Sequence, residues 1–263
     1  MKKRSLLQIT MVICFVISVI LLGQMSAYAD EVEPTWTKVA SMSEVRSRFQ
    51  TEIIDGKIYA IGGFSNGKVL SSAEVYDPIT DNWTKLASMS DTRHRFQTEV
   101  IDGKIYAIGG NNEKGYVSST EVYDPVTNSW TKLASMSESR SAFQTEIING
   151  KIYAIGGYNG KYVSTTEVYD SVTNSWTKLA SMSEGRSMFQ TKIIDGKIYA
   201  IGGNGKYGYA STTEVYDPIT DNWTKLATMP EVRSRFQTEI IDGKIYAIGT
   251  LLVPQSDAIL RNA

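Results

Sequence analysis

The sequence predicts an all-β array of repeated four-stranded units, on three observations. A phrase opening at Trp36, Trp83, Trp130, Trp176 and Trp223 returns every 46–47 residues. At such a period, supersecondary units bury their apolar faces only against their neighbours. Each period holds short alternating apolar runs joined by Asp-Gly or Asn-Gly, the hairpin signal of a turn that needs positive φ at both positions. No helical periodicity occurs anywhere in 30–263.

The first 29 residues read as a secretory signal peptide rather than as fold. Lys2, Lys3 and Arg4 form a basic start, Leu6 to Leu22 an apolar run, and Ala27-Tyr28-Ala29 a small-residue cleavage site before Asp30. The run is short for a membrane span and is interrupted by Gln8 and Thr10. Cleavage after Ala29 implies a secreted, extracellular protein with no transmembrane anchor. It also removes Cys14, the only cysteine. The mature chain therefore relies on its core, without disulfides. A lysine-rich leader and the absence of disulfides point to a bacterial exported protein. The 27 basic side chains nearly balance 28 acidic ones, and loss of the leader leaves the chain mildly acidic. That balance argues against nucleic acid as a partner.

Within one repeat, Phe49 to Ile54 alternates and reads as a strand, and Asp55-Gly56 turns it. Lys57 to Gly63 returns and ends on a glycine pair, where the backbone packs closely or takes positive φ. A polar loop leads to the third strand, Ser71 to Asp77. Asp77-Pro78 and Thr80-Asp81-Asn82 form a turn, and Asn82 to Met89 is the fourth strand. Four antiparallel strands repeated radially make a β-propeller, which protects its sheet edges.

The glycine pair, the later tyrosine and the tryptophan after it recur as Gly62, Gly63, Tyr76, Trp83; as Gly109, Gly110, Tyr123, Trp130; as Gly156, Gly157, Tyr169, Trp176; and as Gly202, Gly203, Tyr216, Trp223. In this the chain resembles the kelch-repeat family. The resemblance implies a kelch-type propeller over 30–249, with the first strand of each blade innermost and the tyrosines and tryptophans packing the blades. About five blades are expected, the closing one shared by 34–42 and 236–249. The regular pattern stops at Thr250, which stands where a second glycine is expected. The tail 250–263 is irregular: either it improvises a missing strand or the propeller is truncated.

Two sets of loops share one face: those after the glycine pair and those entering each inner strand. Eight arginines lie in the entering loops: Arg46, Arg48, Arg93, Arg95, Arg140, Arg186, Arg233 and Arg235. Their planar, permanently charged forks suit carboxylate, sulfate or phosphate. The alternative is that each pairs with the acid before it: Glu44, Asp91, Glu138, Glu184 or Glu231. The loops after the glycine pair differ most between repeats and carry Phe64, Tyr116, Tyr158, Tyr162, Tyr207 and Tyr209. Tyrosine with asparagine and glycine is the chemistry of a recognition surface. Kelch propellers that recognise acidic peptides resemble the chain at these arginines and at Phe64 and Tyr158. Inner-strand Glu52, Glu99, Glu146 and Glu239, with Lys192 breaking the series, are expected to face blade interfaces rather than a bound cation.

The residues favour a binding module over an enzyme. One histidine, His94, remains, beside Arg93 and Arg95, which disfavour its protonated form. A copper oxidase of the galactose-oxidase type needs histidines and a cysteine that the mature chain lacks. No catalytic residue, metal ligand or cofactor is assigned. The expected partner is a protein or glycan, anionic or polar, and the oligomeric state stays open. The alternative is a sugar-acid enzyme similar to the kelch sialic-acid mutarotases, with arginine on the carboxylate and Glu52-type groups for acid–base work.

Overall fold

In a computed structural model of the chain, residues 35–249 are described, together with the backbone of 258–260. The leader and most of the tail lie outside the described residues. Four complete sheets follow one another. Blade 1 comprises Gln50–Ile54, Lys57–Ser65, Lys68–Asp77 and Asn82–Lys85. Blade 2 comprises Gln97–Ile101, Lys104–Ile108, Thr120–Asp124 and Ser129–Leu133. Blade 3 comprises Gln144–Ile148, Lys151–Ile155, Thr166–Asp170 and Ser175–Leu179. Blade 4 comprises Gln190–Ile194, Lys197–Ile201, Thr213–Asp217 and Asn222–Lys225. Neighbouring strands pair antiparallel in sequence order in every sheet. No helix occurs among the described residues.

The turns form for the reasons their residues suggest. Asp55 and Gly56 take φ of 49° and 73°, and Asn149 and Gly150 take 51° and 72°, as the primed hairpin turn requires. At the glycine pair the need is space as well as φ. A Cβ on Gly62 would lie 2.8 Å from the Arg93 carbonyl oxygen, and one on Gly63 2.7 Å from the Phe49 Cβ. The fourth strand is shorter than its apolar pattern suggests. After Lys85 the chain leaves the ladder, and Leu86 and Met89 donate to the carbonyls of Ala73 and Ser71.

Consecutive blades share their cores. Tyr59 and Ile61 of blade 1 pack with Phe96, Ile105, Ala107 and Tyr123 of blade 2, and the same cluster recurs at the next two junctions. Polar links reinforce each junction. The Trp130 indole N–H donates to the Ala87 carbonyl at 3.0 Å, and the Ala87 N–H donates to Asn128 Oδ1 at 2.9 Å. Near the axis, Gln144 donates to the Phe189 carbonyl and Gln190 to the Phe236 carbonyl, both at 2.7 Å.

The inner glutamates do face these junctions. Thr98 of blade 2 donates to Glu52 of blade 1, and Thr145 and Thr191 bond to Glu99 and Glu146 in the same way. Lys192, which interrupts the series, lies 3.4 Å from Glu239. Burial, opposed by the Thr145 bond and aided by the charges of Glu52 and Glu146, pushes the Glu99 carboxyl up to about 7.

The fifth sheet pairs Gln237–Ile241 with Lys244–Ile248, and Ala258–Leu260 takes the third place. Ile245 opposite Leu260 repeats the register of Ile198 opposite Tyr216. The tail thus supplies the strand that the repeat pattern lacks, covering an edge of free N–H and C=O groups. Residues 35–42 carry no strand, unlike the expectation for that segment, and Trp36 is exposed. The end blades show apolar faces that are covered at interior junctions. Ile241 and Ile248 are 55% and 48% exposed, whereas their counterparts Ile54 and Ile61 are 9% and 1% exposed.

Inside each blade the first arginine of the entering loop is buried. Arg140 donates to the carbonyls of Gly156 at 2.9 Å and Thr165 at 2.7 Å, and to Glu167 Oε1 at 2.8 Å. Glu167 also accepts from the Ser137 N–H at 2.7 Å. Burial alone would raise the Glu167 carboxyl, but the bonds from Arg140 and Ser137 hold it below the usual range. Removing one partner of a buried pair leaves the other charge stranded. Arg140→Met is therefore expected to lower unfolding free energy by about 3–5 kcal/mol. Lys151→Ala breaks the solvent-screened Lys151–Asp170 pair and is expected to leave the unfolding midpoint nearly unchanged. Urea unfolding at pH 7 compares them, and equal losses would contradict the assignment.

The raised Glu99 supplies a pH test. Its stabilising contribution is complete below the ordinary carboxyl value of 4.5 and is lost as pH rises through about 7. Glu99→Gln, which keeps an acceptor for Thr145, is expected to stabilise the protein at pH 8 by on the order of 2 kcal/mol and to change little at pH 4. Thermal unfolding of both proteins at the two pH values checks the sign.

Candidate functional site

The two loop sets predicted to share a face pair with each other. Ser47 bridges Phe64, His94 bridges Asn111, Ser141 bridges Tyr158, and Arg186–Ser187 pairs with Asn204–Gly205. These pairings stand the variable loops beside the inner-strand entrances, around the mouth of the central channel.

The eight arginines divide into two series. Arg46, Arg93, Arg140, Arg186 and Arg233 are buried, so the expectation that all eight offer their forks to an anionic ligand is corrected. Four of the five reach a third-strand glutamate at 2.6–2.9 Å: Arg46 to Glu74, Arg93 to Glu121, Arg140 to Glu167 and Arg186 to Glu214. Arg233 donates to the Gly249 carbonyl at 2.6 Å and pairs with Glu231 at 3.6 Å. Where a third-strand glutamate is paired, the preceding loop acid, the partner weighed from sequence, is secondary: Glu44 and Asp91 each stand 3.5 Å from their arginine. A side chain with both ends of its fork committed inside a blade cannot also hold a ligand. The signal was present in sequence. The first arginine occurs in all five entering loops, and a glutamate stands before Val-Tyr-Asp in all four third strands.

The second series reaches the mouth. Positions 48, 95, 142, 188 and 235 occupy equivalent places, with φ between 50° and 55°. Left-handed backbone costs a residue with a Cβ roughly 1–2 kcal/mol, and here a chain of hydrogen bonds offsets the strain. Arg95, Ala142, Met188 and Arg235 each donate a backbone N–H to the carbonyl at the equivalent position of the preceding blade. That geometry aims alternate side chains inward. A cavity of about 380 Å³ is lined by Arg48, Arg95 and Arg235 with Gln50, Gln97 and Gln144.

No carboxylate pairs with these three arginines among the described residues. Burial, then the charges of Arg48 and Arg235, act against the protonated form of Arg95. Arginine keeps its proton regardless, so positive charge accumulates at the mouth. Burial and the charges of Arg95 and Arg48 also hold His94 below its usual range, leaving it neutral at pH 7. Its ring packs 5.8 Å from Phe64, over which the Arg48 guanidinium lies at 5.8 Å.

The remaining predicted aromatics extend away from the mouth. Tyr116, Tyr158 and Tyr162 join Arg95 around a cavity of about 200 Å³. Tyr207 lines a separate groove with Tyr162, and Tyr209 is exposed outside these cavities. Asn111, Asn204 and Met188, which sequence reasoning did not assign to the site, also line the tyrosine cavity. Met188 carries no polar signal; its place follows from its register with Arg48 and Arg95.

The Kelch motif matches residues 46–90, 92–137, 139–183 and 185–230. Spermatocyte protein spe-26 of Caenorhabditis elegans is 46% identical over 44 residues, 17% of this chain and 8% of that protein. Kelch-like protein 33 of Homo sapiens is 44% identical over 43 residues, 16% of this chain and 8% of that protein. The matches thus span a small part of both relatives. Among solved structures, that titled "Structure of YjhT" superposes with a TM-score of 0.69 over 85% of this chain and 83% of that chain, at 19% identity. With the motif repeated over most of the described length, and the blade architecture beneath it, the chain belongs to the kelch family of β-propellers.

Proposed function

We propose that this kelch propeller is an exported binding module that recognises an anionic group at the channel mouth. The observation that carries the reading is the convergence of Arg48, Arg95 and Arg235 on one cavity with no carboxylate partner among the described residues. Guanidinium forks bond carboxylates in pairs, and such charge-assisted bonds are about twice as strong as neutral ones. Three forks held by strained, cross-bonded backbone are preorganised for such a group. Gln50, Gln97 and Gln144 complete the lining, each held by a bond from its side-chain amide to the phenylalanine carbonyl of the next blade. The leader-like first 29 residues support export. An acidic glycan or an acidic protein segment satisfies the mouth equally.

A second reading keeps the same mouth and adds acid–base chemistry on a sugar acid. It is supported by the Glu99 carboxyl, which exchanges its proton near neutral pH. Against it, Glu99 is bonded to Thr145 at a blade junction and does not line the arginine cavity.

Calorimetric titration with galacturonate, N-acetylneuraminate and neutral galactose tests the proposal. The two acids are expected to bind and galactose not. Arg48→Gln, Arg95→Gln and Arg235→Gln should each weaken the acids by about tenfold or more, and raised salt should weaken them further. Binding unchanged in all three variants would contradict the reading. Accelerated anomer interchange of either acid, abolished by Glu99→Gln, would favour the enzyme.

A further inference from the structure

Three cavities neighbour one another on the loop-bearing face. The arginine mouth and the tyrosine cavity share Arg95, Ala142 and Met188, and the tyrosine cavity shares Tyr162 with an outer groove of about 590 Å³. Along this path the rings stand in a row. Tyr116 and Tyr158 lie 5.6 Å apart edge-on, and Tyr158 and Tyr162 5.2 Å apart. The groove beyond holds Lys161, Lys206 and Tyr207, with the Lys206 ammonium 5.4 Å from the Tyr207 ring centre. Both lysines are exposed, and Glu184 is the one acid lining the groove.

At this junction the repeats depart from one another. The interval from Trp130 to Trp176 is one residue shorter than the others, and Gly185 stands where the other repeats have Val45, Thr92, Ser139 and Val232. A Cβ on Gly185 would collide with the Tyr162 carbonyl. The shortened loop settles into the space the glycine leaves, which brings Tyr162 between the two cavities.

We infer that the face binds an acidic oligosaccharide, one carboxylate in the arginine mouth, sugar rings along Tyr116, Tyr158 and Tyr162, and a second acid between Lys161 and Lys206. The inference rests on the anion-binding reading of the mouth. The chemistry of the middle cavity selects sugar. Asn111 Oδ1 and Asn204 Oδ1 are buried there without a hydrogen-bond partner among the described residues, and an unmet buried acceptor is costly until a donor arrives. Sugar hydroxyls supply such donors while the C–H faces of the ring lie on tyrosine. A peptide bound by side-chain anchors would instead need a deep apolar pocket, and this small cavity is rimmed by polar groups.

Calorimetry with galacturonic acid, its linear tetramer, the fully methyl-esterified tetramer and a hexaglutamate peptide tests this. The tetramer is expected to bind at least about tenfold tighter than the monomer through its added sites, and the esterified tetramer to bind poorly. Lys161→Ala with Lys206→Ala should remove much of the tetramer's advantage over the monomer and leave the monomer unchanged. Gly185→Val should do the same by displacing Tyr162. A tetramer no tighter than the monomer, or one indifferent to the lysines, overturns the extended site while leaving the mouth intact. Hexaglutamate binding tighter than the tetramer, with the same lysine dependence, overturns the sugar assignment. Monomer binding that is absent, or that survives loss of the mouth arginines, contradicts the mouth and this inference together.

Discussion

From the second blade on, a buried arginine joins each blade to the one before it, and the rest of the molecule depends on that joint. The Arg93 backbone belongs to the seam with blade 1: its N–H donates to the Leu70 carbonyl, and its carbonyl accepts from Gly63. Its side chain runs into blade 2, onto the carbonyls of Gly109 and Ser119 and onto Glu121. One residue thus satisfies polar groups in two sheets at once. The glycine pair, the third-strand glutamate and the loop serine are each shaped by it. Gly62 is glycine because the next blade's arginine carbonyl occupies the space a Cβ would fill.

The same joint prepares the binding face. With the first arginine anchored, the residue two places on is forced into left-handed backbone and toward the axis. What stands at that residue is free to vary, and it does: arginine in three blades, alanine and methionine in the other two. The mouth is therefore positive on one side and apolar on the other, although the blades beneath are nearly identical. The tyrosine row begins on the apolar side, beside Ala142 and Met188. An almost symmetric scaffold thus carries an asymmetric face through substitutions at this position and in the divergent loops after the glycine pair.

Much of this was legible in the sequence. The Asp-Gly turns, the strand order and the shared face of the two loop sets follow from local signals, because turn chemistry and the two-residue strand period act over a few residues. The division of the arginines was harder to see. Arg93 and Arg95 differ by two positions and face opposite ways, and only their partners in space, Glu121 for one and open cavity for the other, separate them. The fifth sheet was illegible for another reason. Ala258–Leu260 shares no motif with the third strands whose place it takes, since main-chain pairing asks little of side-chain identity. The Gly185 contact with Tyr162 likewise joins two loops whose fit no local pattern records.

The central claim is that one arginine series builds the propeller and the other binds. A crystal structure with galacturonate bound tests it most directly. The account predicts the carboxylate within hydrogen-bond reach of at least two of Arg48, Arg95 and Arg235, with Arg93, Arg140 and Arg186 still seated on Glu121, Glu167 and Glu214. A sugar acid held on another face, or a buried arginine released from its glutamate to meet it, would contradict it.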